Sequence, residues 1–202
     1  MELSAARFPR LSAYLASLPR EWDSYPDCVV KAATYRQMLD ALDPPLRADE
    51  LPAPIADYVA HPRPVSSYVP EVHNIALYLA VRDLRFKTDA AWLDWIEGIF
   101  DAFYASPLYR VLFFVATPSM LLKGGAKRWA QFRKGTKLER ASELESDKHL
   151  SRLVYPPQLF PKPVCEAFAR GIRAAVRASG LKHADVIVKE HGPTSALLHI
   201  QY

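Results

Sequence analysis

The stretch HLSRLVYPPQLFPKPVCEAFARGIRAAVRASG, residues 149–180, decides the fold because its hydrophobic period changes once along its length. Its first residues alternate between two faces, which is typical of a β-strand. After four prolines, an apolar residue recurs at every fourth position from Val164 to Val176, the spacing of one face of an α-helix. A strand followed by an amphipathic helix is therefore predicted, and Gly180 is the natural residue at the end of that helix.

Further strands are predicted on both sides of this stretch. Thr136–Leu144 precedes it across an acidic turn, and Val186–Val188 and Leu197–Tyr202 follow it as a closing hairpin. The order strand, strand, helix, strand, strand predicts a four-stranded antiparallel sheet crossed by one helix. The predicted fold class is α+β: N-terminal helices in residues 1–135, then this sheet in residues 136–202, all in a single domain.

The first 135 residues carry shorter helical patterns. LYRVLFFVA, residues 108–116, is apolar nearly all round, so a helix there would be central and enclosed. Seven prolines between residues 44 and 70 exclude a continuous helix or a central strand, and an irregular connector is predicted instead. The other predicted helices are Leu11–Leu18, Tyr25–Leu42, Val72–Arg85, one that begins at Thr88 or Asp89, and Ser119–Phe132.

The charge of the chain is concentrated in one segment. The protein has 202 residues and a net charge of +4, yet residues 123–140 alone carry +6, so the remainder is slightly acidic. Cations mixed with aromatic rings in this segment are candidates for binding an anion or a partner protein, or nucleic acid as an alternative. An amphipathic helix with solvated cations explains the same pattern. The candidate residues are Lys127, Arg128, Trp129, Arg133 and Lys134.

Several classes of protein are disfavoured. The first twenty residues hold no apolar run typical of a signal peptide, and the most hydrophobic stretch is interrupted by Arg110 and Pro118, so a cytoplasmic location is predicted. Cys28 and Cys165 are too far apart in sequence for a Cys-x-x-Cys site, and the histidines lack the spacing of a zinc site. Cys165 begins a helix, where the dipole favours thiolate, but an inert thiol is the preferred interpretation. With nucleotide-binding and hydrolase motifs absent, catalysis is not favoured.

From about Trp92 onward, several segments share a pattern of residue types: Ile99–Phe103, Ser106–Arg110, Pro118–Leu122, Phe132–Gly135, Ala175–Gly180 and the terminal Tyr202. In these segments the chain resembles an uncharacterised family of small, mainly myxobacterial proteins. That family is related in fold to haem nitric-oxide-binding and vinyl-reductase-like sensor domains. The resemblance implies the α+β fold and a sensor-like role, without implying a reaction.

The same resemblance implies a ligand between the helices and the sheet. Relatives that bind haem use a helical histidine and a Tyr-x-Ser-x-Arg motif. The matching residues here are His73, Tyr104, Ser106 and, two positions late, Arg110, because Leu108 stands where the arginine should be. An apolar ligand is the alternative, and a packed core is the simplest explanation of the same residues. The candidate pocket residues are Trp92, Trp95, Phe103, Tyr109, Phe113, Phe114 and Met120.

The predicted function is non-enzymatic sensing or binding in signalling or regulation. The expected ligand is a small hydrophobic or anionic molecule, or a partner protein, and no cofactor or metal is expected. A haem or gas sensor is one alternative, and a nucleic-acid-associated regulator that uses residues 123–140 is another. An exposed edge at Leu197–Tyr202 would allow two copies of the chain to pair as a homodimer.

Overall fold

The computed structural model describes residues 4–105, 124–145 and 148–202. The predicted central segment 108–116 and the start of the helix predicted at Ser119 lie outside these residues. The helices of the described part are α1 (Pro9–Ser17), α2 (Ala33–Asp40), α3 (Ala53–Ala60), α4 (Glu71–Arg85), α5 (Asp89–Tyr104), α6 (Gly125–Phe132) and α7 (Lys162–Ala178). Its strands are β1 (Val29–Lys31), β2 (Tyr68–Pro70), β3 (Arg133–Lys134), β4 (Lys137–Glu145), β5 (Lys148–Val154), β6 (Asp185–His191) and β7 (Ser195–Gln201).

The C-terminal sheet confirms the predicted strand, strand, helix, strand, strand order. Its four strands are antiparallel in the order β4-β5-β7-β6. Leu153, Leu198 and Ile200 are buried on the face that α7 covers, as the alternation of strand side chains requires. One prediction is wrong: β7 pairs with both β5 and β6, so the chain end is inside the sheet and cannot serve as its edge.

Helix α7 lies between the sheet and α5. Val164 and Val176 of its predicted apolar face are buried, and Phe168 and Ile172 are partly buried and pack against the core. A close approach to α5 is possible because Gly171 lacks a side chain: a Cβ there would lie 2.9 Å from the Phe100 ring. α7 therefore joins the helical part of the chain to the four-stranded sheet.

A second sheet lies in the helical part and was not predicted. β1 pairs with β2 on one side and with β3 on the other, both antiparallel. The helix predicted over Tyr25–Leu42 is thus wrong in its first half, since Val29–Lys31 is a strand and the helix begins at Ala33. The alternation that marks β1 is three residues long, and its partners are about 40 and 100 positions away in sequence.

The proline-rich segment 44–70 is more ordered than predicted. It contains α3, with Pro52 before the helix and a further proline in its first turn, where a missing N–H costs nothing. It ends in β2, and the side chains of Leu46, Leu51 and Ile55 are buried in the main core. This segment is therefore part of the core and not an irregular connector.

The remaining helices follow their predicted boundaries closely. The Thr88 side chain accepts a hydrogen bond from the Ala91 N–H at 3.2 Å and caps α5, as predicted. The first turn of α1 is capped from another helix, because Asp83 on α4 accepts hydrogen bonds from the N–H groups of Arg10 and Leu11. Within the described ranges, no helix is long and apolar enough to cross a bilayer.

Candidate functional site

The junction between the two parts of the molecule contains a buried ion pair. Arg133 opens β3 opposite Val30, so its side chain turns into the molecule. Its Nε lies 3.2 Å from Oε2 of Glu71, and the two side chains are 10% and 0% exposed. Although Arg133 belongs to the predicted basic segment, this position is interior and its charge faces a carboxylate.

Aromatic rings surround the Arg133 guanidinium. Its central carbon lies 4.5 Å from the ring centroid of Trp129 and 4.7 Å from that of Phe168 on α7. The Trp129 indole N–H donates to the Thr136 hydroxyl at 3.0 Å. Trp129, another candidate for anion binding, therefore packs inward and holds the arginine in place.

Polar groups extend the ion pair into the helical part. Asn74 donates to Oε1 of Glu71 at 3.2 Å, and the Thr34 hydroxyl donates to the Asn74 amide oxygen at 2.9 Å. Burial raises the pKa of Glu71, and the Arg133 charge opposes that rise. Burial also raises the pKa of Tyr78, whose hydroxyl donates to the Thr34 carbonyl, to about 12. This cluster can hold charge, but it presents no ionised nucleophile.

The two thiols are unreactive in this fold. Cys165 is fully buried, and burial raises its pKa to about 12. This confirms the preferred interpretation of Cys165 as a buried, inert thiol, because desolvation outweighs the helix dipole that would favour thiolate. Burial raises the pKa of Cys28 to about 11. Neither sulfur is a candidate nucleophile at neutral pH.

A second ion-pair cluster joins α5 to α7. Glu97 on α5 is 9% exposed and contacts three arginines of α7. Its carboxylate lies 2.8 Å from Arg170 and 3.1 Å from Arg177, and it also pairs with Arg173. The arginines recur on one face of α7, a signal that was visible in the sequence, but their partner was not.

The candidate pocket residues on α5 have different environments. Trp92 is fully buried against Leu93, Ile96 and Ala167, and its indole N–H has no hydrogen-bond partner among the described residues. Trp95 is partly buried and packs on Phe86, with ring centroids 5.1 Å apart. The Phe103 ring meets that of Tyr104 edge-on at 5.4 Å. The other candidates, Tyr109, Phe113, Phe114 and Met120, lie outside the described residues.

His73, the candidate haem ligand, is engaged by its neighbours. Its Nδ1 lies 3.0 Å from the Tyr58 hydroxyl, and its ring also hydrogen-bonds the Trp22 backbone. The rings of Tyr58 and Trp22 pack edge-on against it. Burial lowers the pKa of His73. Tyr58 therefore occupies Nδ1 of this candidate iron ligand.

Of the other residues assigned to haem, the structure describes only Tyr104. Tyr104 stacks on Phe100 at the end of α5, with ring centroids 6.2 Å apart. Ser106 and Arg110 lie outside the described residues. In the described ranges, no group of three or more His, Cys, Asp or Glu side chains is placed to hold a metal ion.

Among the exposed cations of the basic segment, Lys134 contacts a residue from a distant strand. Lys127, Arg128 and Lys134 are exposed at the surface. Lys134 lies over the Tyr68 ring of β2, and Lys31 of β1 lies over the Phe132 ring. Sequence reasoning missed Lys31 and Tyr68, because strands three residues long give too short an alternation to recognise.

Comparison with known proteins supports the fold alone. No family model matches this chain, and none of the curated proteins does. A solved structure does match, from work on haem redox potential modulated by protein-induced porphyrin distortion. It has a TM-score of 0.54 and 8% sequence identity, and the match covers 85% of this chain and 97% of the other. The chain therefore has an α+β fold distantly related to that of a haem-related protein.

Proposed function

We propose that this protein is a non-enzymatic sensing domain that binds a small, mainly apolar ligand between its helical part and its four-stranded sheet. Its proposed role is signalling or regulation in the cytoplasm. The distant fold relationship to a haem-related protein supports a small-molecule ligand by analogy of fold. The buried, raised-pKa thiols agree with a role other than catalysis.

The observation that carries the proposal is the unpaired indole N–H of Trp92. Buried polar groups normally have hydrogen-bond partners, and leaving a donor unsatisfied costs about 1–3 kcal/mol. Trp92 is 0% exposed and sits among apolar side chains close to α7. A ligand with an apolar body and one acceptor atom would satisfy this donor.

Haem is the second candidate, because the matching solved structure comes from work on haem redox potential. The described residues argue against it, because Tyr58 and Trp22 already engage His73. If haem bound here, His73 would have to leave both partners. An apolar ligand that accepts a hydrogen bond from Trp92 leaves the contacts of His73 with Tyr58 and Trp22 in place.

Native mass spectrometry of the full chain tests the proposal directly. We expect a bound mass that dissociates on denaturation, carried by the wild type and by Trp22→Phe. Trp92→Phe keeps an aromatic ring but removes the donor, so its occupancy should fall about tenfold, equivalent to one lost hydrogen bond. Trp22→Phe is the matched control because it makes the same substitution at a partly buried tryptophan outside the candidate pocket.

Three outcomes overturn the proposal. The first is a wild-type protein without any bound mass. The second is equal occupancy in Trp92→Phe and wild type. The third is a Soret band after reconstitution that disappears in His73→Ala, which would establish haem instead.

A further inference from the structure

The solvent face of the small three-stranded sheet carries a compact set of rings and cations. The strand register pairs Lys31 of the central strand β1 with Tyr68 of β2. Lys134 lies on β3, the strand that flanks β1 on its other edge. Because the alternate residues Val30 and Val69 are buried, the side chains of Lys31, Tyr68 and Lys134 face outward. Phe132 lies next to them at the end of α6. We call Lys31, Tyr68, Phe132 and Lys134 the aromatic–lysine face.

Exposed apolar side chains concentrate at this face. Four large hydrophobic residues stand out as exposed in the described part of the chain, and three of them belong to this region. Tyr68 is 38% exposed and Phe132 40% exposed, while Val65, in the loop paired beside β1, is 54% exposed. Clusters of exposed apolar groups bordered by charge are typical of interaction surfaces.

The two lysines are positioned but lack carboxylate partners. The Lys134 ammonium lies 4.4 Å from the Tyr68 ring centroid, and that of Lys31 lies 5.5 Å from the Phe132 ring centroid. No acidic side chain among the described residues pairs with either lysine. The face therefore presents two ordered positive charges between apolar rings.

We propose that the aromatic–lysine face docks an acidic segment of a partner protein, one in which carboxylates alternate with aliphatic side chains. Carboxylates would pair with Lys31 and Lys134, and aliphatic groups would pack on the ring edges and on Val65. Charge complementarity selects this partner. Nucleic acid fits this face less well. Bases bind aromatic rings by stacking on the ring face, and here Lys134 covers the ring of Tyr68 and Lys31 covers that of Phe132.

The test measures binding of a short fluorescent peptide of alternating Glu and Leu to the full chain. We expect affinity that weakens as salt increases, since the contacts include exposed charges. Lys31→Glu combined with Lys134→Glu should weaken binding about tenfold or more. The control pair, Lys182→Glu with Lys189→Glu, makes the same charge change at exposed positions near the other sheet and should bind as the wild type does.

A second variant tests the rings separately from the charges. Tyr68→Ser combined with Phe132→Ser removes the apolar surface but keeps both lysines, and it should also weaken peptide binding. Circular dichroism of each variant checks that the fold is retained, so that loss of binding reports on the face itself.

The proposal is overturned if oligothymidylate or phosphatidylserine vesicles bind this face more tightly than the peptide does. It is also overturned if the peptide fails to bind the wild type, or if the control pair weakens binding equally. This surface is separate from Trp92, so its result and that of the ligand experiment are independent.

Discussion

Glu71 and Glu97 are both buried carboxylates paired with arginine, yet their surroundings differ. Glu71 faces a single guanidinium, Arg133, and its own side chain is 0% exposed. Glu97 is shared by three arginines, and its side chain keeps 11% exposure. One cation thus compensates the deeper charge, whereas three compensate the shallower one.

The difference indicates how each link between the two parts of the molecule is stabilised. At Glu71, aromatic rings exclude water, so the free energy depends on a single close pair and on the rings around it. At Glu97, water reaches part of the cluster, because the Arg170 side chain is 27% and that of Arg177 38% exposed. Removing one partner should therefore lower the free energy of unfolding more at Glu71 than at Glu97.

The largest expected effect is that of Arg133→Met. The substitution leaves the Glu71 carboxylate buried without a cation and removes the contacts with Trp129 and Phe168. We expect the free energy of unfolding to fall by about 3–5 kcal/mol, measured by urea denaturation at neutral pH.

The double variant Arg133→Met with Glu71→Met is the matched control. It replaces the pair by apolar side chains, and it should recover most of the lost stability. If the double variant is no more stable than Arg133→Met alone, packing on the rings and not the buried charge explains the loss.

A smaller effect is expected for Glu97→Gln. The amide keeps the shape of the carboxylate but leaves three arginines facing one another without a shared anion. Because solvent screens part of this cluster, we expect a loss of about 1.5–3 kcal/mol in the free energy of unfolding.

Asp94 supplies the comparison for Glu97 on the same helix. It lies 3.6 Å from Arg170, but its side chain is 71% exposed. Asp94→Asn should change the unfolding free energy by less than about 0.5 kcal/mol. Equal losses at the two positions would contradict the buried role of Glu97.

The smallest expected effect concerns pH. Burial raises the pKa of Glu71 in the folded state, so the folded protein retains a proton that the unfolded chain releases near the ordinary glutamate value of about 4.3. Glu71 therefore lowers stability as pH rises above that value and through its folded pKa. Glu71→Gln should remove this decline, measured as the melting temperature at a series of pH values.

Glu50 provides a control of opposite sign. Its carboxylate accepts hydrogen bonds from Arg85 and from the Arg47 N–H, and these contacts lower its pKa. Its contribution to stability is present above the unfolded pKa and is lost as pH falls through the folded one. Glu50→Gln should therefore flatten the acid side of the curve. The same curve for both variants would rule out the assignment to Glu71.

Prediction from sequence succeeded for elements whose own residues show a clear hydrophobic period or a capping residue. Helix α7 and the four strands of the larger sheet have periods that repeat over seven or more residues, and Thr88 is a recognisable cap. Prediction failed for β1 and β2, because each has only three residues and is stabilised by partners far away in the chain.

The candidate site was predictable only in part, for the same reason. Trp92 was identified because the spacing of apolar residues around it is that of one helix face, and this spacing is visible in the sequence. The burial of Arg133 was not, because its neighbours Glu71 and Phe168 lie more than thirty positions away in sequence. An arginine in a basic segment is expected to be solvated, but in the folded protein the Arg133 side chain is buried.

The sequence by itself determined the α+β class, the order of the C-terminal elements and the localisation of the excess charge to residues 123–140. These properties follow from local period and composition, which need no knowledge of distant residues. Only the tertiary structure decided which of those charges are buried and which are presented with Tyr68 and Phe132. The reason is physical: desolvation and ion pairing depend on the groups that folding brings together from separate parts of the chain.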